Sequence, residues 1–258
     1  VSFIGQYAFF DTCLKEIIFE NNSNIFNIEK YAFAKCLNLI EIVLPKSLQE
    51  LGSSVFEKSG LVKVEFESGF SLSYIPQNAF LGTKVENISL PDSIILIKNN
   101  AFRDNMNLQS IQFGKNEIMI MDNAFYNTGL VNVYIGENIT YIGEYAFVGL
   151  KNLTSFEVDK NNLYYSDIDG ALYNKSGTKI ISYPAGKPGD IVLPDSLEEI
   201  GYGAFENTIG TKILFNKNGN LNSIGFRAFY GAQNLTEIMI PKTIVEIDYY
   251  AFANCQKL

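Results

Sequence analysis

The hydrophobic pattern of the chain is organised around a phenylalanine that recurs at a nearly constant interval. From Phe9 to Phe147, six intervals cover 138 residues, a mean of 23. The residue before each of these phenylalanines is Ala, except at Val55, and the residue five positions before is always Ile or Leu. Three positions therefore share one period, which predicts stacked structural repeats. The ten phenylalanines are Phe9, Phe33, Phe56, Phe80, Phe102, Phe125, Phe147, Phe205, Phe229 and Phe252.

A short segment with a second pattern follows most of these phenylalanines. It reads apolar, two variable residues, apolar, one variable residue, apolar, as in Leu39, Ile42 and Leu44. Its last residues alternate between apolar and variable, which is the period of a strand with one buried face. One repeat is too small to bury its apolar side alone, so the repeats must stack. We therefore predict a repeat solenoid, mostly β, with a parallel concave sheet of about ten short strands and short helical or 3₁₀ turns around the Ala-Phe pairs.

One interval is longer than the others. Phe147 and Phe205 are 58 residues apart, which is one repeat plus about 35 residues. The additional segment, near 159–190, has alternating Tyr-rich runs separated by Asp-Gly and Ser-Gly turns, which predicts a β-hairpin or three-strand meander that projects from the stack. The repeat resumes in register at Ile191 without a linker. We interpret 1–258 as a single solenoid of about ten repeats of 22–24 residues with this hairpin insertion.

Composition and charge exclude several functional classes. The chain has no His, which removes Ser-His-Asp and Cys-His catalysis and every His-ligated metal site. With 20 Lys and Arg against 28 Asp and Glu, the net charge is −8, and no basic block is present to follow a phosphate backbone, so nucleic acid is not an expected partner. No apolar run reaches the roughly 20 residues of a membrane helix. We expect a binding protein without cofactor or metal, and not an enzyme.

The three cysteines are too few for a four-thiolate metal site. Cys36 and Cys255 stand three residues after a repeat phenylalanine, where other repeats have Ser, Thr or Asn. A small polar group there is expected to cap backbone donors inside the turn, so we predict structural thiols. Cys13 lies in the repeat beside Cys36, and the alternative is a disulfide between these two across stacked turns.

The order of these elements resembles a known family. In Ile191–Thr208, a strand that ends in Leu-Pro is followed by Ile-Gly and then by Ala-Phe and a small polar residue. This pattern resembles the BspA-like leucine-rich repeats of bacterial surface proteins, and the Tyr-rich insertion resembles a hairpin that recurs in them. The resemblance implies a right-handed leucine-rich-repeat superhelix in a secreted or cell-surface protein without catalytic residues. It also implies adhesion, because some members adhere to host matrix proteins such as fibronectin and fibrinogen.

The outward positions of the predicted strands do not repeat, which is typical of a partner-binding face on a rigid sheet. The candidate partner-binding residues on this face are Glu16, Glu41, Glu65, Gln112, Tyr134, Glu157 and Glu237. A second candidate is the insertion, because Tyr supplies contact area at low entropic cost. Its tyrosines are Tyr164, Tyr165 and Tyr173. The alternatives are an ordinary solvated sheet face and tyrosines that are buried against the solenoid.

Two functional hypotheses follow. The first is a non-enzymatic protein-binding or adhesion module of a secreted or cell-surface bacterial protein, with a protein partner such as a host matrix protein. The second is an accessory repeat module of a secreted enzyme whose catalytic domain lies elsewhere in the parent protein. The chain starts and stops within repeats, at Val1 and Leu258, so we expect it to be part of a longer protein.

Overall fold

The computed structural model describes residues 1–20, 23–215 and 219–258. These residues form short strands joined by hydrogen-bonded turns, and no helix occurs among them. The predicted solenoid of parallel strands is confirmed, whereas the turns around the Ala-Phe pairs are not helical. In chain order the strands are β1 (Phe3–Ile4), β2 (Asn27–Ile28), β3 (Glu41–Leu44), β4 (Glu50–Leu51), β5 (Lys63–Phe66), β6 (Tyr74–Ile75), β7 (Asn87–Ser89), β8 (Leu96–Ile97), β9 (Ser110–Gln112), β10 (Ile118–Ile120), β11 (Val133–Ile135), β12 (Ile139–Ile142), β13 (Phe156–Val158), β14 (Tyr165–Ile168), β15 (Ala171–Asn174), β16 (Lys179–Ser182), β17 (Ile191–Val192), β18 (Glu199–Ile200), β19 (Lys212–Leu214), β20 (Ser223–Ile224), β21 (Glu237–Ile238) and β22 (Glu246–Ile247).

Contacts between residues divide the chain into two compact units. Unit 1 consists of Val1–Leu130 and Tyr141–Ala146, and unit 2 of Val131–Thr140 and Phe147–Leu258. In each unit the strands form two columns. The isoleucine ladder contains the strands that end at the recurring Ile or Leu, and the second column contains the strands that follow the repeat phenylalanine. The interpretation of 1–258 as one domain stays a prediction.

The isoleucine ladder forms one side of the core. In unit 1, β1, β2 and β4 pair in parallel, and β6, β8 and β10 form a second parallel group. Equivalent residues lie side by side across the strands, as Ile75, Ile97 and Ile120 do, and these side chains are buried. Burial of one such side chain is worth about 1.5 to 3 kcal/mol. The Ile and Leu residues that recur in the sequence are therefore the ones that stack side by side in the core.

The turn around each Ala-Phe pair has an alternating backbone. The residues two before and two after the phenylalanine have positive φ, for example Asn100 at 58° and Asp104 at 60° around Phe102. These left-handed residues turn the chain without forming a helix. In this turn, the N–H of every second residue donates to a carbonyl oxygen in the equivalent turn of the next repeat. For example, Phe102 N lies 2.8 Å from Ala124 O. The turns thus form a backbone ladder of their own.

The phenylalanine rings stack from repeat to repeat inside these turns. In unit 1 the centroid of the Phe102 ring lies 5.2 Å from those of both Phe80 and Phe125. In unit 2 the centroids of Phe205 and Phe229 are 4.8 Å apart. All five rings are buried, and Phe102 is packed between its equivalents in the two neighbouring repeats.

The residue three positions after the phenylalanine satisfies carbonyl oxygens inside the turn. Asn105 Nδ2 donates to the carbonyl oxygens of Phe80 and Phe102, at 2.6 and 2.9 Å. Cys36 Sγ donates to the Phe9 carbonyl oxygen at 2.9 Å. The predicted capping of a backbone donor occurs at Thr208, whose Oγ1 accepts a hydrogen bond from the Gly210 N–H at 3.3 Å, whereas Asn105 and Cys36 donate to carbonyl oxygens instead. The three cysteines are free thiols, so the alternative disulfide does not form.

The insertion in unit 2 begins with the predicted hairpin, in which β14 and β15 pair antiparallel. β16 then pairs in parallel with β18 and places Ile180 beside Ile200 in the isoleucine ladder. The Tyr183 ring lies 5.1 Å from Phe205, and the Tyr183 N–H donates to Ala204 O at 2.7 Å, as that of a repeat phenylalanine does. The insertion therefore supplies one turn of the stack. The prediction that it projects from the stack as a whole is wrong.

Phe229→Ala should lower the free energy of unfolding by about 3 to 5 kcal/mol, and Phe252→Ala should lower it by clearly less. Phe229 is buried and stacks on rings on both sides, whereas Phe252 is half-buried and stacks only on Phe229 among the described residues. Urea unfolding followed by circular dichroism measures both values. Equal losses would show that the rings are not a shared core.

Deletion of Asn161–Lys187, with a short Gly/Ser turn to close the gap, should destabilise unit 2. The deletion removes Tyr173 and Ile180 from the core cluster that contains Phe205, and it leaves β18 without its partner β16. A lower thermal midpoint is expected, while the control Leu163→Ser, at an exposed position of the same insertion, should keep the parent midpoint. An unchanged midpoint after the deletion would show that the insertion is peripheral to the core.

Candidate functional site

The outward side chains of the strands that follow the repeat phenylalanine form what we call the strand face. In β3 every second residue points outward, which exposes Glu41 and Val43. Parallel pairing with β5 places Glu41 beside Lys63 and Val43 beside Glu65. All seven candidate residues are exposed in their own unit: Glu16, Glu41, Glu65 and Gln112 in unit 1, and Tyr134, Glu157 and Glu237 in unit 2. Six of them lie on strands, whereas Glu16 lies in the segment 12–20, where the predicted strand does not form.

One ion pair neutralises part of the negative charge in unit 1. Lys63 Nζ lies 2.7 Å from Glu65 Oε1. The hydrogen bond to Glu65 and the charge of Glu65 raise the pKa of Lys63, and the charge of Glu41 acts in the same direction. Exposed pairs of this kind contribute little to stability because water screens them. The pair therefore matters mainly for the charge that the face presents.

The strand face has a different character at β7 and β9, which are also in unit 1. Ser89 Oγ donates to Gln112 Oε1 at 3.2 Å, and Ser110 Oγ donates to Asn87 Oδ1 at 2.6 Å. Both pairs join residues that lie side by side in the parallel register. This part of the face is neutral, and its polar groups bond to each other.

Two clefts open on the strand face of unit 1. The first has a volume of about 490 Å³ and is lined by 16–20, by residues of β3 and by part of β5. The second has a volume of about 990 Å³ and is lined by β5, by β7 and by the residues that follow each. Val43, Lys63 and Glu65 line both clefts, so the two clefts adjoin.

In unit 2, an aromatic side chain is oriented by a carboxylate. Tyr134 on β11 lies beside Glu157 on β13, and its O–H donates to Asp159 Oδ2 at 2.6 Å. This hydrogen bond raises the pKa of Tyr134 and lowers the pKa of Asp159, to which the Asn161 N–H also donates. The Tyr134 ring remains exposed while its hydroxyl is fixed. A partner would therefore meet a ring that has already lost part of its rotational freedom.

The strand face of unit 2 also carries a row of apolar side chains. Val192 on β17 lies beside Leu214 on β19, and the register of β19 with β21 continues the row to Met239. Their exposed fractions are 66%, 45% and 65%. An ion pair between Lys212 Nζ and Glu237 Oε1, at 3.2 Å, lies two residues before the row. The candidate set from the sequence missed these three residues because it favoured charged and aromatic side chains, although the strand alternation placed them outward.

The tyrosines of the insertion do not form one surface. Tyr164 is exposed, whereas Tyr165 and Tyr173 are buried. Burial raises the pKa of Tyr173 strongly, and burial together with the charge of Asp169 raises the pKa of Tyr183 to about 12. The expectation that Tyr165 and Tyr173 contact a partner is corrected, because their rings are packed inside unit 2. Tyr164 stays a candidate.

Within the described ranges, no group of three or more Cys, Asp and Glu side chains is placed to hold a metal ion. The part of the chain that the structure describes also contains no helix with the length and apolar character needed to cross a membrane. What the strand face offers chemically is negative charge, hydrogen bonds and apolar contact area.

Solved structures of bacterial leucine-rich-repeat proteins are similar to this chain. The pneumococcal vaccine antigen PcpA is 25% identical, with a TM-score of 0.76, over 95% of this chain and 57% of that chain. A leucine-rich repeat protein from Eubacterium ventriosum is 23% identical, with a TM-score of 0.63, over 92% of this chain and 57% of that chain. A leucine rich cell surface protein from Faecalibacterium prausnitzii is 22% identical, with a TM-score of 0.57, over 91% of this chain and 82% of that chain. This chain therefore spans little more than half the length of the first two proteins.

The sequence comparisons define the family. No curated protein matches this chain. The family model of the BspA type leucine rich repeat region matches in six copies, over residues 2–84, 73–187 and 187–258. These matches cover nearly the whole sequence, and the resemblance that the repeat pattern predicted is confirmed. The chain belongs to the BspA-type leucine-rich-repeat family.

Proposed function

We propose that this chain is a non-enzymatic protein-binding module of a bacterial cell-surface protein and that it binds its partner through the strand face. The observation that carries the proposal is the exposed apolar row of Val192, Leu214 and Met239 in unit 2. Contiguous apolar side chains on a surface commonly mark an interaction site. Covering them gains about 25 cal/mol for each Å² of apolar area removed from water.

The backbone under this row supports the proposal. β17, β19 and β21 are held in parallel register, and the inward residues Ile191 and Ile213 are buried in the core of unit 2. A partner therefore meets side chains on strands that are already ordered, which lowers the entropic cost of association. The exposed Lys212–Glu237 pair beside the row is the kind of polar rim that surrounds the apolar centre of many interfaces.

Two relatives support the cellular location in this proposal. PcpA is a pneumococcal vaccine antigen, and the Faecalibacterium prausnitzii protein is a cell surface protein. A module displayed at the bacterial surface has host matrix proteins within reach. Fibronectin and fibrinogen are therefore the first partners to test.

Val192→Asp combined with Leu214→Asp should weaken binding to the matrix protein about tenfold or more, because charge replaces the apolar contact area. Surface plasmon resonance against immobilised fibronectin and fibrinogen measures the affinity. The matched control is Val245→Asp, at an exposed valine of the same unit that precedes β22 of the isoleucine ladder. Parent-like binding by the double variant would contradict the strand-face proposal. Failure of the parent chain to bind either protein would favour an accessory role beside an enzyme domain.

Tyr134→Ala should also weaken binding about tenfold, mainly through faster dissociation, because exposed aromatic side chains commonly act as interface anchors. Tyr134→Phe keeps the aromatic ring and should weaken binding much less than Tyr134→Ala does. Since it removes the hydrogen bond to Asp159, the pKa of Asp159 should rise toward its ordinary value, which a carbon-13 NMR titration detects. An equal loss of binding in both variants would assign the contact to the hydroxyl group and not to the ring.

A further inference from the structure

We infer that the first cleft of unit 1 binds an extended segment of a partner protein in which basic and apolar side chains alternate. This inference rests on the proposed function and adds the chemistry of the partner. The volume of the cleft, about 490 Å³, accommodates several side chains.

The centre of the cleft is apolar. Ile18 on one wall and Val43 on β3 are 72% and 48% exposed, and both line the cleft. The next outward positions of this row are Glu65, Ser89 and Gln112, so the apolar part of the row is confined to this cleft. A partner that covers Ile18 and Val43 gains apolar burial without displacing any side chain from the core.

Carboxylates flank this apolar centre along the chain. Glu16 and Glu20 lie two residues before and two residues after Ile18, and Glu41 lies two residues before Val43. All three line the same cleft. Residues 16–20 form no strand, but Glu16, Ile18 and Glu20 are exposed, whereas Ile17 and Phe19 between them are half-buried. The first wall therefore presents acid, apolar and acid in succession.

The negative charge of the cleft is largely uncompensated. Among the described residues that line it, Lys63 is the one cation, and it is paired with Glu65 at 2.7 Å. The adjoining second cleft shares Lys63 and adds the carboxylates of Glu86 and Asp92, with no further cation among its described lining residues. The five carboxylates of the first cleft are Glu16, Glu20, Glu41, Glu65 and Glu67. Charge complementarity therefore favours a basic partner and opposes an acidic one.

An extended polypeptide offers a complementary order of side chains, because its alternate side chains project to one side, about 6.6 Å apart. Lys, an apolar residue and Lys at every second position therefore match Glu16, Ile18 and Glu20. The apolar contact supplies most of the affinity, because exposed ion pairs are individually weak. The charges set the association rate and reject acidic segments.

The test uses a fluorescein-labelled dodecapeptide that repeats Lys-Ser-Leu-Ser, and fluorescence anisotropy measures its binding to the whole chain. Two control peptides replace either every Lys by Glu or every Leu by Ser. The first peptide should bind saturably, and raising the salt from about 50 to about 300 mM should weaken its affinity several-fold because salt screens exposed charges. The Glu peptide should not bind, and the peptide without Leu should bind about tenfold more weakly.

Variants locate the peptide on the molecule. Glu16→Gln with Glu41→Gln should slow association and lower the affinity about tenfold, and Ile18→Ser with Val43→Ser should speed dissociation. The control Glu50→Gln with Glu117→Gln removes the same amount of charge from exposed positions of unit 1 that do not line the two clefts. The affinity of this control for the peptide should change little.

Three results would overturn the inference: equal binding of the Glu peptide, equal binding of the peptide without Leu, or parent-like binding by the Glu16→Gln, Glu41→Gln variant. Different results test the proposed function, so the two hypotheses can fail independently of each other. If matrix-protein binding is lost in the Val192→Asp, Leu214→Asp variant while peptide binding does not depend on Glu16 and Glu41, the proposed function stands and this inference falls. If the peptide binds as described and no matrix protein does, the inference stands and the choice of a matrix partner falls.

Discussion

Left-handed backbone residues on both sides of every repeat phenylalanine are the constraint on which the rest of the fold depends. Without them the chain would not return to the same place in each repeat, and the phenylalanine rings would not stack. A left-handed conformation costs roughly 1 to 2 kcal/mol for a residue with a Cβ, and the chain places residues such as Tyr31 at 58° and Arg227 at 55° there. Stacked rings, buried aliphatic side chains and hydrogen bonds between turns offset that cost.

The repeat fold was predictable because the same residue types return at the same spacing, and stacking turns a repeated residue into a buried column. The geometry of the turns was not predicted. Ala-Phe favours a helical turn locally, and the signal against it is the frequent Asn, Asp or Gly two positions from the phenylalanine, such as Asn78 and Gly82. The added turn in the insertion was missed because Tyr183 replaces Phe and follows Ile180 by three residues instead of five.

The candidate site was predictable in part for a related reason. Strand alternation shows which residues point outward, and the exposure of residues such as Glu41 and Tyr134 agrees with it. Alternation does not show which outward residues bond to each other. The pairing of Ser89 with Gln112, which leaves one part of the face neutral, and the burial of Tyr173 both depend on contacts between distant parts of the sequence. The strand alternation predicted that the residues of the apolar row in unit 2 point outward, but the candidate set did not include them because it favoured charged and aromatic residues.

Hydroxyl-radical footprinting of the chain, alone and saturated with a matrix protein that binds it, tests the central proposal that the strand face is the binding surface. We expect lower side-chain reactivity at Leu214 and Met239 in the complex, because the partner covers them. Tyr7 and Tyr250, which are exposed on the phenylalanine turns, should keep the reactivity of the free chain. Protection of Tyr7 and Tyr250 with unchanged reactivity on the strand face would contradict the account.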